Sequence, residues 1–594
     1  MLPNISPPGE CAASDAIKLP LTVGCTGHRD IADPAQAALL AAEFLRTLAN
    51  SHPHTPIRFL SGVAEGADRI AVLAFLEIQH ERLQAQDHTA VQWEFVAVLP
   101  MEAAFYREDF PETVDEFDRL LALASKVIVV PSVPSNELAA NPALRIDSYV
   151  GLGKHLVRHS NIILALWDGV QMEAAGGTSH VVRMKLNGID AHDHGHRSAL
   201  HDCGPVWHVP VKRSRATSAG PAHMGGWLSP DGTTLTREYF ENSFREIELL
   251  NQGLTAEVSI EQAMKGVRYL SPSPEASGDL LSVLGMFDRQ GVRLQAGVDK
   301  LAVLRDQKCR RLTMFAYCLA LGVAFFLWSA LDGVLQVTMT CGYILALGSV
   351  VMIYRILKSP KLAEAPLHYR FLAEALRVQL YWSLANNVGP AHGKKQSIMA
   401  APSDAPNVLS GLLSQQAHEI GWVREALRGC ALDPAGCSLV SQDLRAAHIR
   451  FWVLDQFDYF RKTEARYVTL GERLDKLAIG SVLLGAMAAV ATLVHDLANH
   501  GDPFLRHFVA IAAAVFPACA VLLQSYRERL AVDEQAKSNL RMQWVFERAR
   551  SHLVSRGPLA ELPPAAVRSL GEEALMECAN WLVLRKSKPP SMPT

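Results

Sequence analysis

The chain reads as two kinds of structure in one polypeptide. The first is an N-terminal α/β domain on a parallel sheet, and the second is an all-α membrane region with four transmembrane helices in two hairpins. Three observations predict this division. From Lys18 onward, short apolar runs alternate with amphipathic helical patterns, as in a parallel sheet covered by helices. Beyond residue 310, four long segments carry almost no charge, and Lys and Arg gather at one set of their ends.

The strand candidates are Leu21 to Cys25, Ile57 to Leu60, Trp93 to Leu99, Lys126 to Val130 and Asn161 to Trp167. A sixth, Val206 to Val211, follows a long insertion. Ala35 to Ala49, Gly66 to Gln79, Pro111 to Ala124 and Ser148 to His159 have the apolar spacing of amphipathic helices between them. Arg237 to Leu250 and Leu280 to Leu304 continue this pattern, and the second leads almost directly into the first apolar segment.

The apolar segments are Thr313 to Leu331, Gly333 to Ile353, Leu477 to Val494 and Phe508 to Tyr526. Each is near the ~20 residues needed to cross ~30 Å of hydrocarbon. Asp332 and Gly333 form the first tight turn, and the polar stretch His495 to Arg506 separates the second pair. Lys300, Arg305, Lys308, Arg310 and Arg311 precede the first segment, and Arg355, Lys358 and Lys361 follow the second. Arg466, Arg473 and Lys476 precede the third, and Arg527 and Arg529 follow the fourth. Basic residues are retained on the cytoplasmic side. A multi-pass protein of the inner (cell) membrane is therefore expected, with the N-terminus, middle region and C-terminus in the cytoplasm. Residues 1 to 20 contain Pro3, Pro7, Pro8, Glu10 and Asp15 and no apolar run, so no secretory signal is expected.

The resulting organisation is an N-terminal tail at 1–17, an α/β domain at 18–235, a helical linker at 236–312 and a first hairpin at 313–353. A cytoplasmic helical region at 354–476 with a flexible loop at 386–406, a second hairpin at 477–526 and cytoplasmic helices at 527–594 complete it. In the middle region the helical stretches are Tyr369 to Trp382, Leu409 to Arg428 and Asp443 to Arg473, and Arg527 to Val554 forms one long final helix. A net charge of -3 is too small to point to a nucleic-acid polymer as partner. Ten cysteines include no CxxC pair, which argues against a zinc ribbon. His192, His194, His196, His201, Cys203 and His208 crowd one insertion, but their spacing is not that of a structural zinc site, and no metal is expected.

Ligands of open α/β sheets sit beyond the carboxyl ends of the strands. Gly24, Cys25, Thr26, Gly27, His28 and Arg29 close the first strand, and Ser61, Gly62, Val63, Ala64, Glu65, Gly66, Ala67 and Asp68 follow the second. Asp168 and Gly169 follow the fifth, and Gly176, Gly177 and Thr178 lead into a helix from Ser179. Glycines at such points let backbone approach a phosphate, and helix N-termini offer unpaired N–H groups. The ligand set expected is Gly24, Thr26, Gly27, His28, Arg29, Ser61, Gly62, Glu65, Gly66, Asp68, Asp168, Gly176, Gly177, Thr178 and Ser179. Arg29 suits a bidentate grip on phosphate, and its alternative role is to pair with Asp30 or Asp68 and hold the loop. Trp167 reads as strand packing.

These three turns, in this order over residues 18 to 215, resemble the SLOG superfamily, the Rossmann-like group that includes LOG nucleotide hydrolases and DprA-type proteins. The Ser61 to Asp68 turn is similar to the DprA-branch SGxAxGxD element, and Gly176-Gly177-Thr178 is similar to the LOG-branch GGxGT element. The resemblance implies binding of a nucleotide-derived ligand, with no other cofactor. LOG-type hydrolases use a glutamate one helical turn past those glycines. Here Ser179, His180, Val181 and Val182 stand there, so catalysis is not expected, with Glu65 and Asp68 as the alternative acid and base. From about 280 to 590 the plan is similar to SLATT modules, which occur beside SLOG domains in bacterial antiviral defence. That implies a second-messenger sensor acting as a pore-forming or membrane-disrupting effector, working as a homo-oligomer in the lipid bilayer because the spans offer few polar residues to line a pore. The alternatives are a membrane-tethered nucleotide or N-glycosidic hydrolase and a membrane-anchored scaffold.

Overall fold

The computed structural model describes residues 17–87, 89, 92–130, 141–189, 203–214, 225–230, 236–265, 284, 286–331, 336–359, 362, 364–386, 417–430, 440–498, 502–555 and 562–587. The histidines at 192, 194, 196 and 201, the turn at 332–333 and the loop from 387 lie outside them. The chain divides into two compact units. Unit 1 is Met1–Leu270, Ser277–Val298 and Ala375–Ser441, and unit 2 is Ser271–Ala276, Asp299–Glu374 and Gln442–Thr594.

The first unit is built on a seven-stranded sheet of β1 (Leu21–Gly27), β2 (Ile57–Ser61), β3 (Glu94–Leu99), β4 (Lys126–Val129), β5 (Ile162–Trp167), β6 (Val206–Pro210) and β7 (Gly226–Leu228), in the order β4-β3-β2-β1-β5-β6-β7. All neighbours run parallel except β6 and β7. Six of these strands match the sequence expectation within two residues. The three-residue β7 does not announce itself by alternation, and it pairs Trp227 with Trp207 across the last ladder.

β1 and β5 are buried on both faces, as their continuous apolar character requires in a parallel sheet. Gly24 lies mid-strand, where any side chain would run into Ser160 and Ile163. The connecting helices are α1 (Pro34–Ser51), α2 (Ala67–Gln84), α3 (Ala103–Tyr106), α4 (Val114–Leu123), α5 (Pro142–His159) and α6 (Thr178–Asn187). Asp33 caps α1 by accepting from Gln36 N at 3.0 Å, with Pro34 at the first turn. Phe59, Phe75 and Trp93 stack in series at 5.1 and 5.5 Å, fastening α2 to β2 and β3.

Two segments distant in sequence complete this unit. From α7 (Arg237–Glu257), which is followed by α8 (Ile260–Lys265), Asn251 reaches back to the start of β1: its Oδ1 accepts from Leu19 N at 2.8 Å and its Nδ2 donates to Leu19 O at 2.9 Å. The helix at Ala417–Arg428 packs where β1 and β5 begin. Asn161 Nδ2 donates to the Glu425 carbonyl at 2.7 Å, and Arg428 donates to Cys203 O at 2.6 Å. Glu425 is fully buried, with Arg428 Nε 3.0 Å from its carboxylate and Arg424 at 3.2 Å. Burial raises the Glu425 pKa, but Arg428, Arg424 and Lys185 outweigh it and hold the group below the usual carboxylate range. Residues 354–476 are expected as one cytoplasmic helical region, yet 375–441 falls with the sheet.

The remaining helices are α9 (Met286–Leu331), α10 (Gln336–Leu357), α11 (Ala365–Asn386), α12 (Ala417–Arg428, above), α13 (Gln442–Ala498), α14 (Pro503–Arg529), α15 (Val532–Ser555) and α16 (Pro564–Ser587). α9 contains both the amphipathic stretch and the first apolar segment without a break, and α13 likewise joins two expected elements. Four helices are long and apolar enough to cross a membrane. Their apolar side chains are not a protein core: Val337 is 78% exposed, Leu345 72%, Met487 68% and Phe504 76%. Such faces suit hydrocarbon, so the C-terminal half is that of a membrane protein.

Within the second unit, Gly485 of α13 lets the Pro517 ring of α14 approach, since a Cβ there would lie 2.7 Å from Pro517 Cδ. The single helix expected from Arg527 to Val554 is instead a corner. Ala531 adopts φ +50, and Arg527 bridges Asp475 at 2.5 Å and Asp533 at 2.8 Å, fixing the turn from α14 into α15.

Candidate functional site

β1 and β5 are the strands between which the chain reverses its direction of winding, and a cleft of about 380 Å³ opens beyond their carboxyl ends. Cys25, Thr26, Gly27, His28 and Arg29 line one side, and Gly176, Gly177, Thr178 and Ser179 line another. Leu152, Leu156, Trp167 and Val181 supply an apolar wall.

The loop after β2 is under backbone strain. Buried, β-branched Val63 has φ +54, and it is held there by Ser61 Oγ accepting from Val63 N at 3.0 Å and by Arg69 Nε donating to Val63 O at 3.3 Å. Gly66 has φ +82 and lies against the Arg29 backbone, where a Cβ would sit 2.7 Å from Arg29 Cα. This contact lets Ala67 N donate to His28 O at 3.0 Å, so the loops after β1 and β2 are one assembly.

Asp68 follows in the first turn of α2, accepting from Ala64 N at 3.3 Å. Burial pushes its carboxyl up to about 7, although the Ala64 N–H and the Arg29 and Arg69 guanidiniums pull the other way. Burial and this neighbouring carboxyl also drive the Cys25 thiol well up, which keeps it from being a thiolate. Tyr106 is fully buried in the cleft wall, and its hydroxyl has no hydrogen-bond partner among the described residues. Burial, then Asp68, raises its pKa, so it stands as a protonated phenol in the cleft wall.

Arg29 is half-exposed, with its guanidinium 3.4 Å from Tyr149 Oη and 3.7 Å from Asp109 and 5.8 Å from the Tyr149 and Phe110 rings. It pairs with neither of the carboxylates considered for it in sequence, because Asp30 accepts from Arg213 at 3.0 Å and Asp68 is buried in its own loop. At the mouth, His28 Nε2 lies 3.0 Å from Asp168 Oδ1. Burial raises the Asp168 pKa, but His28, the Val170 N–H and Arg213 overcome it and hold the carboxylate below its ordinary range.

α6 begins at Thr178 with Gly177 as its N-cap and no side-chain cap. Its first-turn N–H groups border the cleft. Ser179 Oγ instead accepts from Met172 N at 2.9 Å, and His180 Nδ1 accepts from Gly176 N at 3.0 Å. Burial and then Arg183 lower the His180 pKa, consistent with a neutral ring accepting that bond.

Of the residues expected at the site, Thr26, Gly27, His28, Arg29, Asp68, Gly176, Gly177, Thr178 and Ser179 line the cleft. Gly24, Ser61, Gly62 and Gly66 shape the strands and loops beneath it, and Glu65 is drawn aside, accepting from Thr113 Oγ1 at 3.1 Å. Tyr106, Tyr149 and Arg213 escaped the sequence reading because they arrive from α3, α5 and the segment after β6, with no motif around them. Among the described residues no cluster of three or more His, Cys, Asp or Glu could hold a metal ion. Cys203 is buried and His208 Nε2 donates to Trp167 O at 2.9 Å, so both serve packing.

No protein-family model matches the chain, and no curated protein matches it.

Proposed function

We propose that this chain is a SLOG-like sensor fused to a SLATT-like membrane effector: a nucleotide-derived ligand binds the cleft, and its binding gates permeation or disruption of the inner membrane, in bacterial defence. The observation that carries the reading is the convergence, in one cleft, of the uncapped α6 N-terminus, the half-exposed Arg29 guanidinium and the unpartnered Tyr106 hydroxyl. The first two suit phosphate, and the third, beside an apolar wall, suits a base or sugar. The four apolar helices supply the membrane arm. Their basic ends favour a cytoplasmic N-terminus, middle region and C-terminus. Assembly into a homo-oligomer provides a pore wall that one chain, with so few polar span residues, does not. Switching between 1:99 and 99:1 needs a differential affinity worth ~5.5 kcal/mol.

The raised pKa of Asp68 favours a second reading, a membrane-tethered hydrolase, since a carboxyl near 7 is suited to general acid–base work. The two readings separate in one experiment on the full-length protein in detergent, because α7 and the 417–430 segment complete the sheet domain. Incubation with cyclic, linear and ADP-ribose-type nucleotides is followed by mass spectrometry of what is retained and what is altered. Retention of an unchanged nucleotide, abolished by Arg29→Ala, together with ligand-dependent leakage from liposomes, is the expected result. A new product lost in Asp68→Asn would establish the hydrolase, and indifference to every nucleotide would leave only a membrane-anchored scaffold.

A further inference from the structure

The second unit holds a cluster of basic residues where the first and fourth spans end. Tyr317 and Tyr526 meet edge to face at 5.4 Å, and Tyr317 Oη lies 3.1 Å from Ser525 Oγ. These contacts clamp the base of the first span to that of the fourth. Tyrosines are enriched where spans meet lipid headgroups.

Around this clamp three guanidiniums arrive from three helices: Arg310 of α9, Arg529 of α14 and Arg585 from the last turn of α16. Arg529 and Arg585 both act electrostatically on Cys309, and all three act on Tyr526. Asp306 is bound to Arg310 at 2.7 Å, and among the described residues neither Arg529 nor Arg585 has an ion-pair partner. The Arg585 Nε is buried without a hydrogen-bond partner, with the Trp581 ring 5.8 Å from the guanidinium carbon. Burial lowers the Arg585 pKa and Arg310 adds to this, while Tyr467, Asp306 and Cys309 oppose it. Arg310 is half-exposed and already bound by Asp306, so an anion joining the cluster would meet its remaining positive charge at Arg529 and Arg585.

We propose that Arg310, Arg529 and Arg585 form a binding site for the phosphate of an anionic lipid headgroup. A phosphodiester offers oxygens to planar guanidinium forks, and the two tyrosines place the site where such headgroups lie. The ligand ties α16, which follows the last span, to helices that enter and leave the bilayer. This site depends on the membrane assignment and is independent of any nucleotide in the sheet domain.

The test uses full-length protein in neutral detergent, melted with phosphatidylglycerol, phosphatidylcholine or inorganic phosphate. Phosphatidylglycerol is expected to raise the melting midpoint and phosphatidylcholine to leave it unchanged, with the rise lost in R529Q/R585Q and kept in K308Q/R311Q, which removes equal charge from exposed neighbouring positions. Should the double variant fail to fold, R529Q alone carries the test, because its guanidinium makes no ion pair among the described residues. An equal rise with inorganic phosphate would support the phosphate site while assigning it a soluble occupant. No rise with any anion, or equal loss in K308Q/R311Q, would overturn it.

Discussion

His28 Nε2 and Asp168 Oδ1 lie 3.0 Å apart, tying the carboxyl end of β1 to that of β5 across the mouth of the cleft. The strands on which these residues sit are already hydrogen-bonded, with Gly27 opposite Leu166. The side-chain pair therefore fixes the loops rather than the sheet.

Asp168 has a depressed pKa in the folded protein, so it stabilises the fold above the ordinary carboxylate value of 3.8 and loses that contribution as pH falls through its lower folded value. Asp168→Asn should lower the melting midpoint at neutral pH and flatten the acid limb. Scanning fluorimetry from pH 7 downward measures both, and an unchanged acid limb would count against the pairing.

Asp68 has the opposite sign. Its folded pKa is raised to about 7, so its contribution is fully present below 3.8 and is lost as pH rises toward 7. The wild-type protein should lose stability over that interval with a slope of up to about 1.4 kcal/mol per pH unit from this group. Asp68→Asn should remove that slope. Melting curves at pH 5 and pH 8 give the comparison, and a variant with the same pH dependence as wild type would place the titration elsewhere.

Gly66→Ala should be among the most damaging single-methyl changes in the protein. The positive-φ backbone alone costs about 1–3 kcal/mol for an L-residue, and the added carbon meets the Arg29 backbone. Ligand retention should fall together with stability, because the displaced segment carries both His28 and Arg29. Titration of the folded variant with the retained nucleotide would show unchanged affinity if the two loops were independent.

Glu425→Ala removes the carboxylate from two buried guanidiniums and should cost about 3–5 kcal/mol. Limited proteolysis should then cut around residues 417–430 faster than in wild type. Equal protection would mean that this helix is held by its apolar face alone.

Much of the fold was legible in sequence. Strand positions, the four spans and nine cleft-lining residues follow from local rules: apolar runs between glycine turns, uniform hydrophobicity over a bilayer's thickness, and small residues after strands. The corner at Ala531 was not, because a non-glycine residue with positive φ is imposed there by the Arg527 bridges to Asp475 and Asp533, 52 and 6 residues away.

The sequence by itself determined the two structural classes and the sheet edge on which the cleft opens, since periodicity and uniform apolarity are properties of contiguous residues. Only the tertiary structure decided that Tyr106, Tyr149 and Arg213 complete the cleft, that Glu425 belongs with the sheet, and that Arg310, Arg529 and Arg585 all act on Tyr526. Those groupings join residues between tens and hundreds of positions apart. Burial and charge at such places depend on neighbours that no local pattern names.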